Sequence, residues 1–265
     1  MSTEHRPLLA GGAEVATYVA APGLDIRLGP RPYLHPVRTL GGVQVTDALC
    51  VDHPWHLGVS VAMQDVDGVN IWGGRTYRRG EGYVWLDDHG RVAHAGWLPA
   101  TDGIGHRLRW EDQAGRVLLT EERTVAARLA PGGWELLFAY ALSAPAGRDV
   151  TLGSPATNGR TGGAGYGGFF WRAPDGDAVA YTATAEGESA VNGSAEPWLA
   201  VTGGDAYTLV FRGLRDDDRW FVRTGDYVGV CAALAFEKPL TIAAGATLRR
   251  EISVLVADGT APPPS

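Results

Sequence analysis

The feature that most constrains this chain is a period of two, kept up over much of its length and cut at short intervals by turn signals. EVATYVA alternates Val15, Thr17 and Val19 with Ala16, Tyr18 and Ala20. WELLFAYAL sets Trp134, Leu136, Phe138, Tyr140 and Leu142 on one side and Leu137, Ala139 and Ala141 on the other. TLRREISVLVA groups Leu248, Ile252, Val254 and Val256. Successive side chains of a strand point to opposite faces, so these runs fit strands. No stretch carries a three-turn amphipathic helix with a cap at each end. PG at 22–23, GG at 41–42, DG at 67–68, AG at 114–115, PGG at 131–133 and DG at 175–176 punctuate the runs. Short strands so divided predict an all-β protein, a large antiparallel β-sandwich. With no repeat and no low-complexity linker, residues 13–258 are expected to form a single domain. Residues 1–12 are expected to be a disordered lead-in and 259–265 a disordered tail. WELLFAYAL, apolar on both sides, is expected to be buried on both faces.

Composition narrows the function classes. Forty-five per cent of the 265 residues are hydrophobic, enough for a substantial core. The net charge is −7 with arginines scattered among acidic residues, whereas nucleic acid demands a concentrated basic surface. No nucleic-acid partner is expected. No run approaches the roughly 18 consecutive apolar residues of a membrane helix. The first twenty residues lack the charged and apolar regions of a signal peptide, so a cytoplasmic location without membrane association is expected. Two cysteines, Cys50 and Cys231, are too few for a disulfide framework and are expected as reduced thiols.

Chemistry-bearing residues concentrate between Tyr33 and Trp72, which hold three of the seven histidines. In Asp52-His53-Pro54-Trp55-His56, proline pushes His53 toward extended geometry and displays both imidazoles from a bend. Such a pair can act as general base and acid, with Asp52 fixing a tautomer. With His35, held by Pro36 in the same way, it can alternatively ligate a divalent metal. An inert polar cap on a sheet end is the plain structural reading. Arg38 is a candidate for recognising a carbonyl, hydroxyl or carboxylate oxygen, while Arg31 and Arg38 both have the ordinary fate of surface charges open to them. Alternation places Asn70 and Trp72 on one face, and indole beside amide suits a sugar ring, whose C–H face packs on an aromatic plate.

Further along, His94 is flanked by small residues that leave room for a ligand, whereas His89 in DDHG reads as a solvent-exposed turn residue. Of Glu121 and Glu122 only one can point inward, and it then needs a partner, for which Arg123 stands beside it. The glycine-rich stretch GSPATNGRTGGAGYGGFFWR is no Walker loop, lacking GK[ST] and a following helix, and no βαβ unit surrounds it. No nucleotide cofactor is expected. Its glycines suit a long loop over one end of the sandwich, with Asn158, Arg160 and Tyr166 available to an oxygen-rich ligand. GxSxG, HExxH and CxxC are all absent, so nucleophilic serine chemistry has no support.

Three stretches carry a resemblance: RPYLHPVRTLGGVQVT…DHPWHLGVSVA…VNIW, the glycine-rich segment, and DRWFVRTGDYVGVCAALAFEKPLTIAAG. Together they resemble the bacterial PmoA-like family over most of the chain, from about Pro30 to Gly259. The family more often carries DHPHHRG; here Trp55 replaces the middle histidine and Leu57 the arginine, while His53 and His56 remain. The resemblance implies a galactose-mutarotase-like β-sandwich and a small-molecule carbohydrate substrate.

The leading expectation is thus a carbohydrate-processing enzyme acting on a sugar or 3-keto glycoside and eliminating or hydrolysing its C1 substituent. His53 and His56 would share base and acid duties and His35 would assist or ligate. Arg38, Asn70, Trp72, His94, Asn158, Arg160 and Tyr166 would hold the ligand. An aldose mutarotase or epimerase without metal, and a non-catalytic carbohydrate-binding protein, are the alternatives.

Overall fold

The computed structural model describes residues 4–261. Two large antiparallel sheets face each other. The first has seven strands in the order His5–Ala10, Ala13–Val19, Tyr33–Val37, Val59–Ala62, Gly168–Arg172, Gly229–Ala233, Arg219–Arg223. The second has eight, in the order Ala178–Tyr181, Trp198–Gly203, Tyr207–Arg212, Thr247–Asp258, Gly133–Ser143, Val117–Ala130, Ile104–Asp112, Gly90–Leu98. A three-stranded sheet (Leu240–Ile242, Val150–Gly153, Asp65–Val66) and the hairpin Thr76–Arg78/Gly82–Val84 complete it. The α-helix among the described residues spans only Glu188–Val191. An all-β antiparallel sandwich is the fold, as the alternation demands. No helix among the described residues is long and apolar enough to cross a membrane.

Alternation decides what each sheet buries. Val59, Val61, Phe169, Trp171, Trp220, Val222 and Val230 from the first sheet meet Trp134, Leu136, Phe138, Phe211 and Val254 from the second in one apolar core. Phe138–Phe169 and Trp171–Phe211 stack edge to face across the gap, with centroids 5.2 and 5.6 Å apart. The intervening residues of the first sheet point the other way. Tyr33, Ser60, Phe170, Cys231 and Phe221 sit opposite one another on neighbouring strands and make a row across the outer face. That face is covered too, by loops that pack Trp72, Tyr166 and Phe236 on it. The central strands of this sheet are therefore buried on both sides.

Three expectations are corrected here. His5–Ala10 is no lead-in: it is the edge strand of the seven-stranded sheet, registered on Ala13–Val19 through a two-residue turn, with Leu8 and Ala10 in the core. Gly259–Ala261 is tied down, since Thr208 Oγ1 donates to Gly259 O at 2.7 Å and accepts from Ala261 N at 3.0 Å. The rest of that segment, like Met1–Thr3, lies outside the described residues. WELLFAYAL buries only its large side, leaving Leu137, Ala139 and Ala141 half-buried, because no layer covers the outer face of the second sheet there. Cys50 and Cys231 are both free thiols, Cys231 fully buried in the outer-face row.

A buried polar cluster crosses the sandwich around Glu121. Glu121 is the inward carboxylate; it pairs with Arg123 at 2.6 Å and accepts from Trp110 Nε1 at 2.7 Å, all three side chains buried. Glu122 points outward toward Arg107, 3.6 Å away. Beside them Tyr18 OH, from the first sheet, bonds His106 Nδ1 of the second at 2.8 Å. Burial, with Arg123 as the next cause, lowers the pKa of His106 from 6.5 to about 3. The unfolded chain therefore binds a proton between these values that the folded chain refuses. The stability this group contributes is complete above pH 6.5 and is lost as the pH falls toward 3. The melting temperature is expected to drop between pH 7 and pH 4, and less steeply in His106→Asn; parallel curves would refute this assignment.

Candidate active site

A cavity of about 610 Å³ opens on the covered face of the seven-stranded sheet. Its wall is the segment that the sequence singled out. Asp52-His53-Pro54-Trp55-His56 folds as a β-turn closed by His56 N donating to His53 O at 2.9 Å, with proline at the position where its fixed φ belongs. The turn brings the first and fourth residues side by side, so the two imidazoles stack, centroids 4.7 Å apart and planes 13° from parallel.

The stacked rings differ in exposure. His53 is 32% exposed, and its Nδ1 lies 2.6 Å from Asp52 Oδ2. A carboxylate only accepts, so Nδ1 carries the proton and Nε2 keeps the basic lone pair. The hydrogen bond from His53 in turn holds the Asp52 carboxyl below its usual range, so Asp52 is ionised at neutral pH. His56 is buried beneath, packed on Phe170, Trp72 and Tyr227, and its Nδ1 has no partner. Burial, then His53, Arg172 and Arg31, push its pKa well down. His56 is a neutral platform.

The remaining wall is aromatic and cationic. Trp55, Trp72, Tyr83, Trp85, Tyr166, Phe221 and Tyr227 line the cavity, together with Arg75, Arg160, Arg223 and Asp226. Trp85 is 51% exposed at the rim and meets Trp55 edge to face at 6.4 Å. Gly73 and Gly74, at φ +94° and +70°, carry the chain against Trp55, where an added Cβ would come within 2.8 and 2.6 Å of it. Beneath them lies Arg31, fully buried. Its guanidinium donates to the carbonyls of Trp55, Trp72 and Gly29 at 2.9–3.0 Å and to Ser60 Oγ at 3.0 Å. Burial lowers its pKa to about 9, which leaves it charged at neutral pH.

Of the residues expected at the site, His53, His56, Trp72, Arg160 and Tyr166 line this cavity. His35 does not: its Nδ1 is engaged by Thr46 Oγ1 at 3.0 Å. The stacked planes of His53 and His56 also keep their in-plane lone pairs from converging on one ion. Among the described residues no three His, Cys, Asp or Glu side chains are grouped to hold a metal, so the three-histidine arrangement does not fit one. Arg38 is exposed, because Val37 beside it takes the core side of the strand. Asn70 is buried under the loop, accepting from Gly73 N at 2.8 Å and donating to Thr76 Oγ1 at 2.9 Å, so its amide shapes the wall rather than facing a ligand. Asn158 donates to Asp65 Oδ2 at 3.0 Å and lines a neighbouring cavity of about 450 Å³. His94 is exposed on the edge strand Gly90–Leu98, where its Nδ1 bonds His106 Nε2 at 2.7 Å. His89, expected in solvent, is buried and holds Gly74 O at 2.7 Å. Arg31 is the opposite of a surface charge.

Sequence reasoning passed over Tyr83, Trp85, Arg75, Arg223, Asp226 and Tyr227. Tyr83 and Trp85 carried a readable sign, two aromatics at strand spacing beside a glycine turn. Arg223 closes the strand Arg219–Arg223, and Arg75, Asp226 and Tyr227 sit in loops, which have no period to read.

A family model described as "Family of unknown function (DUF6807)" matches residues 6–264. No curated protein matches the chain. Among solved structures, the alpha-galactosidase from Lactobacillus brevis aligns with 97% of this chain at 11% identity and a TM-score of 0.43. The chain spans 39% of that enzyme's length.

Proposed function

We propose, for a chain that belongs to the family of unknown function DUF6807, that the aromatic cavity is the active site of a carbohydrate-processing enzyme using His53 as its proton carrier. One observation carries this reading: a histidine with its tautomer set by an ionised aspartate lines a cavity walled by tryptophan and tyrosine. Indole and phenol plates match the C–H faces of a pyranose, and the cavity falls within the ordinary size range of small-molecule sites. The PmoA-like resemblance of the sequence agrees with a sugar as the substrate class.

The chemistry that suits one oriented imidazole is proton abstraction beside a carbonyl. On a 3-keto glycoside, His53 Nε2 takes the proton from the carbon next to the ketone, and the bonding pair forms the enolate. The enolate expels the C1 substituent, and the imidazolium returns the proton to the departing oxygen. Asp52 stabilises the imidazolium throughout. His56, neutral and buried, supports the His53 ring and moves no proton.

Proton NMR in D₂O over a panel of aldoses and 3-keto glycosides tests this. Loss of the C1 substituent, together with loss of the proton signal of the carbon between C1 and the ketone as it enters the new double bond, is the expected result; deuterium at that carbon in recovered substrate would report reversible enolate formation. Anomerisation without cleavage would reassign the dyad to a mutarotase. No exchange, cleavage or anomerisation across the panel would overturn the enzymatic reading.

A further inference from the structure

Resting on the carbohydrate reading, the geometry points to a sugar acid as the preferred ligand, its carboxylate seated on Arg160 and Tyr83. The argument is an inventory of donors. The Arg160 guanidinium donates to Tyr83 OH and lies over its ring, 4.8 Å from the centroid. Tyr83 OH is 3.0 Å from Tyr166 OH, and Tyr166 OH accepts from Gln64 Nε2 at 2.7 Å. Both phenol oxygens are thus already acceptors for N–H groups. Of their two protons, one bridges the oxygens and the other has no acceptor in the cluster. Arg160 likewise has N–H groups to spare, since a guanidinium has five and accepts nothing. In this corner, the members of the cluster that line the cavity, Arg160, Tyr83 and Tyr166, thus have hydrogens left to donate, while the free acceptor of Gln64, Oε1, is buried behind them.

Charge points the same way. Arg75, Arg160 and Arg223 line the cavity against Asp52 and Asp226. Asp52 is engaged by His53, and Asp226 is exposed. Arg223 pairs with Glu188, 3.6 Å away. Arg75 and Arg160 form no ion pair with a described carboxylate. A neutral hydroxyl would satisfy one of these donors while asking for an acceptor in return; a carboxylate accepts from several and asks for none. Tyr166 is buried at the back of the corner, which removes water from competition.

Calorimetric titration with matched methyl glycosides tests the proposal. Methyl glucuronide and galacturonide are compared with methyl glucoside and galactoside, which differ only in carrying CH₂OH for the carboxylate; sodium acetate is the third probe. A uronide is expected to bind about tenfold or more tightly than its neutral partner, the scale of a charge-assisted pair. That advantage, read as the ratio of uronide to neutral-glycoside affinity, should shrink with added salt and vanish in Arg160→Gln. Tyr83→Phe, which keeps the aromatic plate, should lose part of it. Equal affinity for uronide and neutral glycoside would overturn the sugar-acid assignment and leave the carbohydrate reading standing. Acetate binding as tightly as the uronides would keep the anion seat but overturn the sugar. No binding of any methyl glycoside would overturn both.

Discussion

His53→Gln is expected to lower turnover about 10²–10⁴-fold, the usual worth of a positioned proton carrier. Stability should stay within about 0.5 kcal/mol, because the side chain is partly exposed and fills no core position. Glutamine keeps a donor for Asp52 but has no titratable nitrogen, so the loss should fall on kcat with KM little changed. Asp52→Asn should move kcat in the same direction by less, since an amide oxygen still accepts from Nδ1 but carries no charge to stabilise the imidazolium. Steady-state kinetics on the substrate found in the NMR panel provides the measurement. Full activity in His53→Gln would end the assignment. An equal loss in a folded His56→Gln would move the base to the buried ring, against its neutral, covered setting.

The second large effect lies under the site. Arg31→Met is expected to destabilise the protein by about 3–5 kcal/mol, since several buried acceptors lose their donor and each unsatisfied group costs about 1–3 kcal/mol. Methionine fills a similar volume, so the loss reads on the hydrogen bonds rather than on a void. Lysine should recover only part of it, because a single ammonium cannot spread donors over Trp55 O, Trp72 O, Gly29 O and Ser60 Oγ at once. Urea unfolding gives the value, and a loss below about 1 kcal/mol for Arg31→Met would show that the guanidinium is not needed there. The consequence for function follows from what Arg31 holds. Two of its acceptors are the carbonyls of aromatic wall residues, so variants that still fold should bind ligand more weakly without any change at His53.

Much of this could be read before any coordinates. Proline after His53 and the three-residue spacing to His56 were enough to place two imidazoles on a bend at the edge of a pocket. Their division of labour was not readable. Stacking in the turn buries one ring under the other, and whichever lies beneath loses the solvation its charged form needs. His89 and His94 traded places for a related reason. Small neighbours made His94 look like a ligand-facing residue and a DDHG turn made His89 look exposed. Yet the strand of His94 is a sheet edge, and the turn of His89 tucks under the loop it braces. Arg31 has an arginine's ordinary surface fate open to it in the sequence, since nothing local marks a cation that will find the carbonyls of Trp55 and Trp72 in distant segments.

By itself the sequence determined the class of the fold, the alternation of the runs it marked as strands, and the turn that carries the candidate base. Those are local properties: a strand's period, a proline's φ and a glycine's freedom act within a few residues. Tertiary structure alone decided which side of each strand faces the core, and so which polar residues meet. Alternation leaves one binary choice per strand, and it is settled by pairing with partners that can be a hundred residues away. That pairing set Tyr33, Ser60, Phe170, Cys231 and Phe221 in one row, and the cavity was built on top of it.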